Sequence, residues 1–209
     1  MAPERSSSRN TRGEPPPALL LASRSPRRRA ILEQLGIPFE AVVSGYVEHD
    51  LPGVEPIEAV RGHACGKARS AAGMASARQP VLGVDTGVVL GGRLFGKPRD
   101  VNSARSILGE LSGRTHQVVS GLCLACDGRE QLAHSVTDVT FRLLSQAQLD
   151  AYFAHAEWEG LAGAYAIQGR AAAFVTRVSG DYLNVVGLPA ALLIDLLEEQ
   201  WPGEYFLPP

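Results

Sequence analysis

Short apolar segments with the character of β-strands alternate along most of the chain with segments that have the apolar spacing of α-helices. Residues 19–22, 39–43 and 81–85 are rich in Leu, Val and other strand-forming residues, so we predict a strand at each. Residues 55–72 and 101–111 carry helical spacing. The alternation lacks strict β-α-β regularity. It therefore predicts an α/β fold with a mixed β-sheet flanked by helices.

The remaining elements follow from the same patterns and from turn residues. Ser25 and Pro26 suit the start of a helix and Gly36 suits its end. Asp127-Gly128 predicts a turn between two long antiparallel strands, and Gly91-Gly92 predicts a second turn. The other predicted elements are strands at 116–125, 133–142 and 172–178 and helices at about 146–155 and 190–200.

Residues 1–17 are polar and rich in Ser, Arg and Pro, which predicts a disordered N-terminal tail followed by one domain over 18–209. The net charge of −2 argues against a nucleic-acid-binding protein. No apolar run approaches the roughly 20 residues that span a membrane, and no secretory signal is recognisable. Only three cysteines are present. Their low number predicts a reducing, cytoplasmic location.

Cys123 and Cys126 have the spacing of half a zinc site or of a redox motif, but no second pair accompanies them. Strand alternation over this segment would place the two thiols on opposite faces. We therefore interpret both cysteines as packing residues.

A strand, a loop with two hydroxyl groups and a helix start occur in order in LLLASRSPRRR. Free backbone N–H groups and the helix dipole make such a junction an anion site, to which Ser23, Ser25 and arginine side chains can add donors. Successive helical residues point about 100° apart, so only one or two of Arg27, Arg28 and Arg29 can face the loop. The alternatives are a solvated basic surface and a kinase site at Ser25-Pro26.

Asp85 is predicted to stand at the end of an apolar strand, before Thr86 and Gly87. A carboxylate there is either a turn former or a placed functional group. Asp-Thr-Gly also occurs in aspartic proteases, but their chemistry requires a second, paired aspartate. The chain has no second such triplet, which argues against that interpretation.

Other polar residues are weaker candidates individually. Lysine side chains at two positions could meet an anion, two acidic side chains could bind a hard cation, and Gln168 could recognise a base edge. Each could equally be a solvated or locally satisfied residue. These candidates are Lys67, Lys97, Glu48, Asp50, Gln168 and Asp181. The P-loop, G-x-G-x-x-G and H-E-x-x-H motifs are absent.

Taken in order, five segments resemble the Maf family of nucleoside triphosphate pyrophosphatases. The segments are LASRSPRR, GVDTGVVLGGRLFGKPRD, LSGRTHQV, AGAYAIQG and GDYLNVVGLP. The resemblance implies a strongly curved mixed sheet in two lobes with a central cleft. It also implies a house-cleaning hydrolase that cleaves a nucleotide between its α and β phosphates with Mg²⁺ or Mn²⁺, and a possible homodimer.

The resemblance further implies roles for the candidate residues. Ser23, Arg27 and Arg28 match the family's phosphate-binding loop, and Lys67 and Lys97 match its triphosphate-binding lysines. Asp85 matches the carboxylate taken as general base or metal ligand, and Glu48 matches an acidic metal-binding position. These types suit the chemistry, since cations gather the triphosphate charge while a carboxylate and a metal activate water.

The branch that acts on dTTP and UTP is implied by Arg28, Thr86 and Gln168. The branch that acts on 7-methyl-GTP has a segment resembling SFKSEG in place of AYAIQG. Two departures from the family pattern occur, namely Gly160-Leu161 in place of Asp-Lys, and Gly66 in place of a polar residue. Preference for inosine triphosphate or 7-methyl-GTP, or a non-catalytic role in regulating septum formation, remain the alternatives.

Overall fold

A computed structural model describes residues 16–49, 51 and 53–205, and within them seven strands form one mixed sheet. The strands are β1 (Leu19–Ala22), β2 (Phe39–Val42), β3 (Val81–Leu90), β4 (Arg93–Phe95), β5 (Thr115–Cys126), β6 (Arg129–Phe141) and β7 (Val175–Ser179). Their order is β2-β1-β3-β5-β6-β7, with β4 paired to β3. The first two pairings are parallel and the others antiparallel, which confirms the predicted mixed sheet.

The helices are α1 (Pro26–Gln34), α2 (Pro56–Ala71), α3 (Val101–Leu111), α4 (Gln146–Phe153), α5 (Tyr182–Val186) and α6 (Ala190–Gln200). All but the short α5 were predicted. The strand predicted from residue 172 begins at Val175, because Arg170–Phe174 forms a 3₁₀ helix. Residues 1–15 of the predicted tail lie outside the described residues. None of the described helices is long and apolar enough to cross a bilayer.

Helix α1 begins as the sequence predicts. Ser25 is its N-cap and accepts a hydrogen bond from the Arg28 backbone N–H, and Pro26 occupies the first helical position. After the helix, Gly36 has a φ of +68°, a conformation that glycine adopts without strain. The chain can therefore turn back directly into β2.

Side chains alternate between the two faces of the sheet, and helices cover both. Leu19 and Leu21 of β1 face one core, where α1 and α6 pack, while Leu20 and Ala22 face another core beneath α2. This alternation is the two-residue period of a strand. It also separates Cys123, in the core beneath α2, from Cys126, which packs against the other core. The predicted placement of these thiols on opposite faces is confirmed.

A third core lies farther along β5 and β6 and contains a cluster of aromatic rings. Phe141 makes edge-to-face contacts with His116, Tyr165 and Phe174. Helices α3 and α4 contribute apolar residues to the same core. The cores at the two ends of the long strands correspond to the two predicted lobes, and a cleft opens between them.

Strand β3 does not end at Asp85, contrary to the sequence-based prediction. It continues to Leu90, because the apolar residues after Thr86 pair with β4 and β5. Strand β1 pairs with β3 only at Val81 and Leu82, and β4 begins to pair at Val88. Among the described strands, the intervening part of β3 pairs with β5 alone. Asp85 and Thr86 thus lie beside a gap in the sheet.

Helix α2 lies unusually close to the sheet because two strand positions are glycine. A Cβ added at Gly83 of β3 would lie 2.0 Å from the Ala64 carbonyl oxygen and 2.7 Å from the Ala68 nitrogen. A Cβ at Gly121 of β5 would lie 2.6 Å from the Val60 carbonyl oxygen. These are backbone atoms, which cannot rotate away. Both glycines therefore determine how closely α2 approaches β3.

We expect Gly83→Ala to lower the free energy of unfolding by about 1–3 kcal/mol, because the added methyl group must push α2 from the sheet. Urea titration followed by circular dichroism would measure the change. Gly62→Ala is the matched control, since Gly62 lies in α2 and a Cβ added there would have no other atom within 4 Å. The control should gain about 0.5–1 kcal/mol. Equal stability of Gly83→Ala and the wild type would refute this account of the packing.

Candidate active site

A cleft of about 710 Å³ lies beside the gap in the sheet, between the cores. It is lined by side chains from α1, α2, β3 and the loops that follow β2, β4 and α4. All nine residues proposed from the sequence line it, namely Ser23, Arg27, Arg28, Glu48, Lys67, Asp85, Thr86, Lys97 and Gln168. Asp50, the second acidic candidate of the loop after β2, lies outside the described residues.

The loop between β1 and α1 has the strand–loop–helix geometry from which an anion site is predicted. The Ser23 hydroxyl oxygen accepts hydrogen bonds from the Ser25 N–H at 3.2 Å and from Arg28 Nη1 at 3.0 Å. Both bonds use lone pairs, so the hydroxyl can still donate its own proton. Arg27 and the start of α1 also line the cleft. Partial burial lowers the pKa of Arg27, but its guanidinium remains positively charged near neutral pH.

The Arg28 side chain is held rigidly by protein acceptors. Its Nε donates to the Gly187 carbonyl oxygen at 2.8 Å, and its Nη2 donates to Thr86 Oγ1 at 3.1 Å. Together with the bond to Ser23, these contacts leave two of its five N–H groups for a ligand. Burial lowers the pKa of Arg28 to about 10, although the charge of Asp85 acts against this shift. The side chain is therefore charged and oriented before any ligand binds.

The Gly187 carbonyl group, which orients Arg28, is held in place by polar residues that sequence analysis did not identify. The Asn184 amide donates to Thr137 Oγ1 and to the Val118 carbonyl oxygen, which anchors α5 to β5 and β6. Helix α5 then presents the Gly187 carbonyl. Asp181, a candidate from the sequence, caps α5 by accepting from the Leu183 N–H at 2.7 Å. The segment GDYLNVVG thus serves to support Arg28.

Two carboxylates meet one ammonium group at the centre of the cleft. Lys67 Nζ lies 2.6 Å from Glu48 Oε1 and 2.6 Å from Asp85 Oδ1, and it also donates to the Val84 carbonyl oxygen at 3.3 Å. The other oxygen of Glu48 lies 3.6 Å from Lys97 Nζ. Lys67 is buried and Asp85 nearly so, which strengthens their attraction relative to a surface pair.

Glu48 remains ionised under all ordinary conditions. Burial alone would raise its pKa, but the hydrogen bond and charge of Lys67, with the charges of Lys97 and His63, lower the pKa to about 2. Ionised carboxylates are the ligands that Mg²⁺ and Mn²⁺ prefer. Because Glu48 and Asp85 both contact the same ammonium group, their oxygens face the same part of the cleft. The donor set therefore fits the metal that the sequence implies.

Tyr46 connects the loop that carries Glu48 to helix α2, a contact that sequence analysis missed. Its hydroxyl is 3.0 Å from His63 Nδ1. Its ring covers Gly66, where an added Cβ would lie 2.2 Å from Tyr46 Cε2. The unusual glycine before Lys67 thus provides space for this ring. Tyr46 also lines the cleft and fixes the chain two residues before Glu48.

The opposite wall of the cleft comes from the segment after α4. Gln168 is exposed toward the cleft, while Tyr165 and Leu161 are buried in the wall behind it. The Tyr165 hydroxyl lies 2.8 Å from Nε2 of the buried His116. Gly160 and Leu161, which replace a charged pair of the family pattern, both line this wall. The wall is therefore more apolar here than the resemblance implies.

We expect Arg28→Ala to weaken binding of inorganic tripolyphosphate by several-fold or more, because a buried cation with oriented donors is lost. Arg29→Ala is the matched control, since Arg29 belongs to the same run but is exposed. Calorimetric titration of each variant, with folding checked by circular dichroism, would test this. Unchanged affinity of Arg28→Ala would mean that Arg28 does not contact the anion.

Several known proteins are similar to this chain over most of its length. A dTTP/UTP pyrophosphatase of Symbiobacterium thermophilum is 46% identical over 184 residues, covering 87% of this chain and 93% of that protein. The dTTP/UTP pyrophosphatase of Pelotomaculum thermopropionicum is 44% identical over 183 residues, with 87% and 95% covered. A third, from Xanthomonas oryzae, is 47% identical over 175 residues, with 82% and 92% covered.

Two solved structures show more distant similarity. One is the dITP/XTP pyrophosphatase of Mycobacterium abscessus, with 19% identity, a TM-score of 0.38, and 59% of this chain and 72% of that chain covered. The other is the Ham1 protein of Staphylococcus aureus, with 12% identity, a TM-score of 0.43, and 59% and 71% covered. The model of the Maf-like protein family matches residues 18–200. The chain belongs to the Maf-like protein family.

Proposed function

We propose that this protein is a metal-dependent nucleoside triphosphate pyrophosphatase that hydrolyses dTTP and UTP, and modified pyrimidine nucleotides, to the monophosphate and pyrophosphate. The observation that carries the proposal is the arrangement of cations around an ionised acidic pair in one cleft. The cationic residues are Arg24, Arg27, Arg28, Lys67 and Lys97. Relatives named dTTP/UTP pyrophosphatase align with most of the chain, which supports the substrate assignment.

The triphosphate would bind against the β1–α1 loop. Ser23 and the free N–H groups at the start of α1 would donate to phosphate oxygens, and Arg27 and Lys97 would add positive charge. A triphosphate carries about four negative charges, which repel an attacking water or hydroxide. Gathering cations on the phosphates lowers that repulsion and stabilises the charge that develops on the leaving pyrophosphate.

Asp85 would accept the proton of the attacking water. It is held by Lys67 at 2.6 Å in the centre of the cleft, where its carboxylate would face a water near the α phosphate. All three protons of Lys67 already have protein acceptors, Glu48, Asp85 and the Val84 carbonyl. A phosphate oxygen must therefore displace one of them, so we assign Lys67 to both orienting Asp85 and contacting substrate.

Glu48 and Asp85 would hold the divalent ion, Mg²⁺ or Mn²⁺. When bound, such an ion supplies charge neutralisation for the phosphates and favours deprotonation of water. The contribution of the chain is to bring both acidic side chains to one place, which Lys67 does by contacting each at 2.6 Å. Tyr46 keeps Glu48 in place by anchoring its loop to α2.

Base selection would involve Arg28, Thr86 and Gln168. Arg28 and Thr86 are hydrogen-bonded to each other, and Thr86 Oγ1 also lies 2.9 Å from Ser120 Oγ. Gln168 extends from the opposite wall and offers both a donor and an acceptor. A pyrimidine edge also presents both.

We place the enzyme in the cytoplasm because Cys65, Cys123 and Cys126 are free, and a homodimer remains a prediction.

Pyrophosphate release from a panel of nucleotides tests the proposal. The panel contains dTTP, UTP, CTP, 5-methyl-UTP, 7-methyl-GTP, ITP and ATP, each with Mg²⁺ or Mn²⁺. We expect fastest release from dTTP and UTP, stopped by EDTA. Preference for 7-methyl-GTP or ITP would keep the reaction and overturn the base assignment. Release from none would favour a non-catalytic nucleotide-binding regulator.

Asp85→Asn should lose most turnover and keep most nucleotide affinity, since the amide cannot accept the proton but preserves the shape of the side chain. Single-turnover kinetics and calorimetric binding of a non-hydrolysable analogue would separate the two effects. Asp195→Asn is the matched control, because Asp195 is an exposed residue of α6 that does not line the cleft. Turnover of Asp85→Asn equal to that of the wild type would refute the role of Asp85.

Gly66→Ala should raise the Mg²⁺ concentration needed for half-maximal activity by several-fold, because the methyl group displaces the Tyr46 ring and loosens the Glu48 loop. Tyr46→Phe should have a smaller effect of the same sign, since it keeps the ring and removes only the bond to His63. Gly62→Ala in the same helix serves as control. An unchanged Mg²⁺ requirement in Gly66→Ala would mean that Tyr46 does not position Glu48.

A further inference from the structure

Cys65 and Cys123 meet between α2 and the sheet although they are distant in sequence. Cys65 lies on α2 and Cys123 on β5, and their sulfur atoms are 3.2 Å apart. The carboxylate of Glu130, on β6, completes a group whose ligand atoms all lie within 4.8 Å of one another. The partner of Cys123 is therefore Cys65 and not its sequence neighbour Cys126.

We propose that Cys65, Cys123 and Glu130 form a binding site for one thiophilic divalent cation of the Zn²⁺ class. Two sulfur ligands and one carboxylate favour Zn²⁺ or Cd²⁺ over the hard ions Mg²⁺ and Mn²⁺. The site is distinct from the proposed catalytic centre, where both acidic groups offer oxygen alone. It does not depend on the proposed pyrophosphatase activity.

Binding of Zn²⁺ would require little movement of the Cys65 and Cys123 sulfur atoms. Tetrahedral Zn²⁺ with bonds of about 2.3 Å to sulfur separates two sulfur atoms by about 3.8 Å. The observed separation of 3.2 Å would have to open only slightly. Three protein ligands would leave the fourth position to water. Because α2 and β5 are already packed together, the ligands are brought together by the fold before any ion binds.

A carboxylate that binds a metal usually also accepts a hydrogen bond from a neighbouring group, and Arg69 supplies that hydrogen bond to Glu130. Its Nε and Nη2 donate to the two oxygens of Glu130, each at 2.7 Å, and thereby orient that carboxylate. Two thiolates and one carboxylate around a divalent ion leave one net negative charge. The Arg69 guanidinium balances it.

Access and proton balance are also compatible with binding. Cys123 is fully buried and Cys65 is 7% exposed, but the side chain of Glu130 is 30% exposed. Glu130 and Arg69 border a cavity of about 270 Å³, which offers an entry route from that side. Burial, together with the hydrogen bond to Cys65, raises the pKa of the Cys123 thiol. Each sulfur–metal bond that forms would replace one S–H bond and release its proton to solvent, with no change in oxidation state.

An occupied site would link α2 to the sheet behind the catalytic residues. Cys65 precedes Lys67 by two residues on α2. Cys123 is the register partner of Gly83, which precedes Asp85 by two residues on β3. We therefore expect cation binding to raise the thermal unfolding temperature, because it joins the elements that carry Lys67 and Asp85.

Cadmium is the probe, since sulfur-to-Cd²⁺ charge transfer absorbs in the ultraviolet. The full chain, reduced with a phosphine and free of metal, should bind one equivalent with this absorption, and Zn²⁺ should displace it. Cys65→Ser and Cys123→Ser should each weaken binding by roughly tenfold or more. Cys126→Ser is the matched control and should bind like the wild type. Glu130→Gln should keep the absorption and bind more weakly.

Each result decides the proposal. Absence of the absorption in the wild type, or full binding by Cys65→Ser, would overturn it. If the serine variants fail to fold, the ¹¹³Cd chemical shift of the wild type decides instead, because ligation by two sulfurs and ligation by oxygen alone give widely different shifts. An oxygen-only shift would overturn the proposal. Asp85→Asn should bind Cd²⁺ unchanged, so a failed catalytic assignment would leave this test intact.

Discussion

The close approach of α2 to the sheet is the constraint on which the cleft depends. Gly83 and Gly121 lack the side chains that would hold the helix away, so the backbone of α2 rests on β3 and β5. Lys67 can then reach Asp85 and Glu48 at 2.6 Å. Two acidic side chains are thereby held against one shared ammonium group. If α2 lay farther from the sheet by about the width of a side chain, Lys67 would not reach Asp85 and Glu48. The two acidic side chains would then lose the ammonium group that they share.

On the opposite face of the sheet, a chain of polar contacts fixes the second cationic group. Asn184 anchors α5 to the long strands, α5 presents the Gly187 carbonyl, and Gly187 orients Arg28 against Ser23 and Thr86. Because adjacent strand residues point to opposite faces, Asp85 meets α2 while Thr86 meets α1. The gap beside β3 lets both sets of contacts open into one cleft. The proposed general base and a residue proposed to select the base of the nucleotide are therefore sequence neighbours with separate supports.

The same packing that positions Lys67 also brings Cys65 against Cys123. The two thiols lie between α2 and β5, and both of these elements also contribute residues to the cleft. A soft cation there and a hard cation at Glu48 and Asp85 would be selected by different ligand atoms. The protein would then hold two chemically distinct cation sites on the α2 side of the same strand pair, both beside α2.

The sequence by itself determined the elements and the residue types of the cleft. Apolar spacing located the strands and all but one helix, because burial imposes periods of two and 3.6 residues. Nine candidate residues could be named from motif order, and all nine line the cleft. Only the tertiary structure decided that β3 runs past Asp85, that Gly66 accommodates Tyr46, that Gly187 orients Arg28, and that Cys123 pairs with Cys65. Each of these depends on contacts between distant segments, and local patterns carry no information about which segments will meet.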